Sequence, residues 1–85
     1  MEETNPVMGE HIKQVVHNQI KSNKPPETKL TYQRLLSEGF PKDEAIRLIA
    51  CVVSNEIYHM MKEQRPFDEK GFVEMLKKLP KMPWD

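Results

Sequence analysis

With 85 residues, thirteen basic side chains balanced by thirteen acidic ones, and 38% hydrophobic content, the chain makes one small domain at most. A chain of this size hides only about 60–65% of the surface that its unfolded form exposes, so its core is thin. Balanced charge removes the excess that draws proteins to nucleic acid or anionic lipid, and no apolar run is long enough to span a bilayer, so neither partner is expected.

The opening "MEETNPVMGE" is acidic and polar and shows no charged-then-apolar secretory pattern. A single cysteine, Cys51, has no internal partner for a disulfide. Together these predict a reduced, cytoplasmic protein.

Helical periodicity dominates, and no stretch alternates in the manner of a strand. The first predicted helix covers 5–22: Asn5 is a good N-cap, Pro6 suits the first helical position, and "SNKPPE" stops the run. The second covers 26–38, with Glu27 in a first turn that favours acid. Gly39 is placed to close it in a left-handed conformation, and Phe40 to fold back over its last turn. The third covers 42–64, opens on Asp43 and Glu44, and breaks at "RPFD". The fourth covers 68–79; Asp68 is its cap, and Phe72, Met75, Leu76 and Leu79 follow the i, i+3, i+4, i+7 spacing. The expected fold is all-α: a compact bundle of about four helices spanning 5–80, with 1–4 and 81–85 as tails.

A helix turns roughly 100° per residue, so each side chain can be placed around its axis by counting. In the third helix Ala45, Ile49, Val52, Val53 and Met60 share one side, and Glu56 falls among them. In the first, Met8, Ile12, Val15, Val16 and Ile20 make the apolar stripe, and Gln19 projects from its centre. A buried carboxylate costs several kcal/mol, on the order of the penalty for any unpaired buried charge, unless it is hydrogen-bonded or neutralised. The expected resolution is a Glu56–Gln19 hydrogen bond inside the bundle, or a shared partner among His11, His17, His59, Tyr32 and Arg34. Such a pair is either a staple that fixes helix register or a perturbed carboxylate in a pocket.

The segments "NPVM", "NQIKSNKPPE", "YQRLLSEG", "DEAIRLIACVVSNEIY" and "PFDEKGFVEMLKKLP", taken in that order, resemble a group of small bacterial all-helical domains of unknown function. The resemblance covers about residues 5 to 80 and implies a helical fold. In that group's pattern histidines follow the NP pair, and a His-Glu-Ala-x-His sequence opens the third helix; the spacing would suit metal ligation. Here those positions hold Gly9 and Lys13, then Asp43, Glu44, Ala45, Ile46 and Arg47. The acids Glu44 and Glu56 remain without the imidazoles, so no metal or other cofactor is expected.

His11 and His17 lie on different sides of the first helix and cannot chelate one ion together; a ligand site would have to recruit Glu44 or His59 through the tertiary fold. Cys51, mid-helix among apolar neighbours, reads as an inert thiol. No phosphate loop, nucleophile triad or paired carboxylates appear, so no catalytic residue is named and an enzyme reading is poor. "YQRLLSEGFPKDEAIRLI" has a helix-turn-helix outline, yet Asp43 and Glu44 would repel phosphate where a DNA reader needs basic and amide groups.

Much of the third helix is apolar around most of its circumference, and three short partners leave part of it to cover. Ile46, Tyr58, Met61 and the tail residue Trp84 are the candidate interaction surface. The leading expectation is a non-catalytic interaction or structural module whose partner is itself, as a homodimer, or another protein. The alternative is a small-ligand or metal-binding domain centred on Glu56, Gln19 and the nearby histidines.

Overall fold

The computed structural model describes residues 6–82, and the side chains of 11–82. Four helices follow in chain order: α1 (Pro6–Ser22), α2 (Pro26–Ser37), α3 (Lys42–Glu63) and α4 (Glu69–Lys78). Each agrees with its predicted span to within a residue at either end. The reason is local punctuation. Proline opens α1 and α2 at the first turn, where its missing N–H is not needed. Asn5, the expected cap of α1, lies outside the described residues, as does Trp84.

The helix ends are built from backbone geometry. Gly39 has φ +100°; its N–H donates to the Leu36 carbonyl, and the Phe40 N–H donates to that of Leu35, the paired bonds of a Schellman motif. Phe40 is thereby turned onto the core. Nothing lies within 4 Å of where a Cβ would stand on Gly39, so only the backbone angle resists substitution. Gly39→Ala is expected to cost about 1–2 kcal/mol. Gly39→Asn should cost less, because asparagine tolerates this region better; urea titration of both variants checks the order. Asn23 (φ 60°) closes α1 in the same way, its N–H on Ile20 and that of Lys24 on Gln19. At α4 the Asp68 Oδ1 accepts from the Gly71 N–H at 3.1 Å. A Cβ on Gly71 would stand 2.6 Å from the Asp68 carboxylate, so the cap and the glycine belong together.

α3 is the central helix and packs against α1, α2 and α4; α2 packs against α1 and α4. Ala45, Ile46, Leu48, Ile49, Val52 and Val53 of α3 enter the core with Val16, Leu35, Phe72, Leu76 and Leu79. Arg34 ties α2 to α4 by donating from Nη2 to the Leu76 carbonyl at 3.1 Å, a cation at a helix C-terminus. The first and last helices do not meet: α1 and α4 make no backbone approach to each other among the described residues. They flank α3 and leave a seam between them.

Length explains what stays uncovered. At 22 residues α3 is about 33 Å long, whereas ten-residue α4 reaches about 15 Å. The buried residues of α3 run from Ala45 to Glu56, and its last turns expose Ile57, Tyr58 and Met61, the last to 75%. One sequence expectation is corrected here. Ile46, a candidate for the interaction surface, is instead buried in the core. On a helix apolar nearly all round, periodicity does not say which flanks the neighbours cover.

Candidate functional site

Glu56 is 4% exposed, as counting around α3 predicted. Its partners are not those expected. α3 ends through Gln64 in a left-handed conformation (φ 50°), and the Arg65 N–H returns to the Met60 carbonyl. That reversal carries Arg65 back along the helix. Its Nη1 donates to Glu56 Oε2 at 2.9 Å and its Nη2 to Oε1 at 3.2 Å, a bidentate pair. The Asp68 N–H adds a third bond, to Oε2 at 3.0 Å. Arg65 also donates from Nε to Glu63 at 2.8 Å and from Nη1 to the Pro66 carbonyl at 3.0 Å.

The carboxylate thus clasps the α3–α4 turn to α3, and Asp68, one of its donors, caps α4 in turn. The Arg65 guanidinium holds the Glu56 carboxyl below the usual carboxylate range; burial opposes this, and the Asp68 N–H adds to it. Arg65 is itself pushed further up by Glu56 and then Glu63. An ionised carboxylate with both oxygens engaged is a staple and a poor proton carrier.

The expected Glu56–Gln19 hydrogen bond is corrected accordingly. Gln19 is half-buried and its Oε1 accepts from the Thr28 hydroxyl at 3.0 Å. Thr28, fully buried, links α1 to α2 through this bond. Gln19 and Glu56 line the same small recess, each committed to another partner. None of the other expected partners serves Glu56 either. His11 and His17 are exposed; Arg34 pairs with Glu38; His59 Nδ1 lies 3.5 Å from Glu63.

The candidate ligand set does not assemble either. Glu44 pairs with Arg47 at the start of α3, and the Arg47 guanidinium holds its carboxyl low. His59 lies fifteen residues further on, about 22 Å along the axis. Among the described residues no three His, Cys, Asp or Glu side chains gather as a metal site. Cys51 is half-buried and unbridged.

Sequence reasoning missed Arg65 and Thr28. Thr28 shares a face with Thr31 and Leu35 at helical spacing, which marks it as inward. Arg65 carried only the weak signal of a cation just beyond a helix that holds an inward acid.

Two concavities lie along the seam between α1 and α4. An open cleft of about 530 Å³ is lined by Gln19, Lys24, Pro25, Pro26, Phe67 and Glu69. Behind it, a recess of about 120 Å³ is walled by Val15, Val53, Ile57, Met60 and Phe72 and shares Gln19 and Phe67 with the outer cleft. Phe67, 43% exposed, stands between the two, its ring centroid 5.4 Å from that of Phe72. Val15, expected in the core stripe of α1, instead faces this seam partly exposed, as does Ile57. A separate recess of about 170 Å³ between α2 and α4 is lined by Glu27, Leu30, Thr31, Arg34 and Lys77. The buried Glu27 Oε1 has no hydrogen-bond partner among the described residues, and this recess has room for a hydrating water.

No described helix is long and apolar enough to cross a membrane. Comparison with protein-family models, curated proteins and solved structures gives no match to this chain.

Proposed function

We propose that the domain is a cytoplasmic, non-catalytic interaction module that docks a protein partner along the seam between α1 and α4. One observation carries this reading. Val15, Ile57 and Phe67 stand partly exposed around two adjoining concavities, the outer of which is also lined by Pro25 and Pro26. Apolar groups gathered in a groove with a polar rim are the usual anatomy of a contact surface, whereas scattered ones need no explanation. The engagement of both Glu56 oxygens favours this over a ligand site centred on that carboxylate. The resemblance to small bacterial helical domains is compatible with such a module.

The test places a photo-reactive benzoylphenylalanine at Phe67 and, as a control, at Leu30, which is 61% exposed and lines the separate recess between α2 and α4. A discrete protein adduct from position 67 alone, lost when Val15→Asp puts a charge in the seam, is the expected result. Equal, diffuse labelling from both positions overturns the assignment of this seam. A discrete low-mass adduct from position 67 would instead establish a small-ligand site.

A further inference from the structure

Resting on that reading, we propose that the seam's partner is a second copy of this chain, in a two-fold contact that sets Lys24 of each protomer against Glu69 of the other. The outer cleft carries both signs of charge. Lys24, in the turn between α1 and α2, and Glu69, in the first turn of α4, both line it. Both are exposed, and among the described residues neither forms an ion pair within its own chain.

An isologous contact places one patch upon itself, so residue i meets j and j meets i. One lysine and one glutamate in that patch then satisfy each other twice. A partner surface of a single sign would meet a like charge at one of them, which opposes docking. With equal numbers of basic and acidic side chains, two copies carry no net repulsion.

Phe67 gives the surface its shape complementarity. It lines the cleft and is 43% exposed, so each protomer offers an aromatic ring and, beside Pro25 and Pro26, apolar surface for its partner's. The prolines fix their backbone in advance, and an aromatic ring has few rotamers to lose, which limits the entropic cost of pairing. The groove is small compared with an obligate interface, so the dimer exchanges with monomer rather than persisting at high dilution.

Native mass spectrometry and sedimentation velocity on the full chain, from about 1 µM to about 1 mM, test this. Wild type is expected to show a concentration-dependent dimer. Lys24→Glu and Glu69→Lys each replace two attractive contacts with two repulsive ones, and each should weaken pairing by about tenfold. Mixed in equal amounts, they should form the heterodimer, since each then presents the sign the other lacks. Both substitutions are on exposed side chains, and circular dichroism verifies that the helices persist. Phe67→Ser, which removes the ring without touching charge, should weaken the wild-type dimer and the heterodimer alike.

A monomer throughout the concentration range overturns self-pairing. A wild-type dimer whose strength is unchanged in either charge variant, or two weakened variants whose mixture fails to recover, overturns this geometry. A monomeric wild type together with a foreign protein adduct at position 67 would leave the interaction module standing and exclude only the second copy.

Discussion

Arg65→Met destabilises the domain more than Glu56→Gln at neutral pH, and the gap between the two variants closes as the solution is acidified. Glu56→Gln keeps the shape of the side chain and one acceptor oxygen. It turns an amide NH2 toward donors that previously met a carboxylate, at a cost of about 2 kcal/mol. Arg65→Met leaves the buried Glu56 carboxylate with the Asp68 N–H as its remaining donor. An uncompensated buried charge is the costlier of the two defects. The accompanying loss of the Arg65–Glu63 contact adds little, because Glu63 is half exposed and the pair is screened by solvent.

The pH dependence follows from proton linkage. In the wild type the Glu56 carboxyl titrates below its ordinary 4.5, so the unfolded chain binds the proton first on acidification. The clasp's contribution is therefore complete above about pH 4.5 and is lost as pH falls through the lowered folded value. In Arg65→Met the balance reverses. Burial without the guanidinium raises the folded value above the unfolded one, and protonation relieves the stranded charge as pH falls. Glu56→Gln has no proton to exchange at this position. Urea unfolding of the three proteins at several pH values between 7 and 4 should show Arg65→Met gaining on Glu56→Gln. Parallel profiles would mean that Glu56 is not the group Arg65 neutralises.

What the sequence reveals of this molecule is what short-range chemistry determines. Gly39, Phe40 and Asp68 place helix ends through bonds to residues within a turn or so, Pro26 does so through its fixed backbone angle, and these positions were legible one by one. The inward aim of Glu56 was legible too, because rotation around a helix depends only on counting. Its partner was not. Arg65 reaches Glu56 because Gln64, neither glycine nor asparagine, adopts a left-handed angle, which composition does not announce. Similarly, the central place of α3 followed from its apolar circumference. Whether Ile46 or Met61 would be covered depended on where three shorter helices stop, a property of the assembled bundle.

Phe72→Ala is expected to be the most damaging single truncation, at about 3–5 kcal/mol. Phe72 is 1% exposed and fills the space beneath Phe67 where α4 meets α3. At roughly 0.05–0.15 kcal/mol per residue, a domain of this size has only about 4–13 kcal/mol to lose. Partial rescue by repacking is limited, because α4 is ten residues long and a helix that short is not stable alone. Its helicity depends on Phe72, Leu76 and Leu79 staying docked.

The Glu56 clasp holds the same element from its other side, through the Asp68 N–H at the entry to α4. The two attachments are therefore expected to couple. Once Phe72→Ala has loosened the first turn of α4, Glu56→Gln has less left to disrupt. The double variant should accordingly lose less than the sum of the singles, by about 0.5–1 kcal/mol in urea titrations. Phe72→Leu, which retains most of the buried surface, should keep α4 seated and leave the full effect of Glu56→Gln in place. Strict additivity in the Phe72→Ala pair would mean that the clasp secures the turn at Arg65–Asp68 alone, with α4 held by its apolar face.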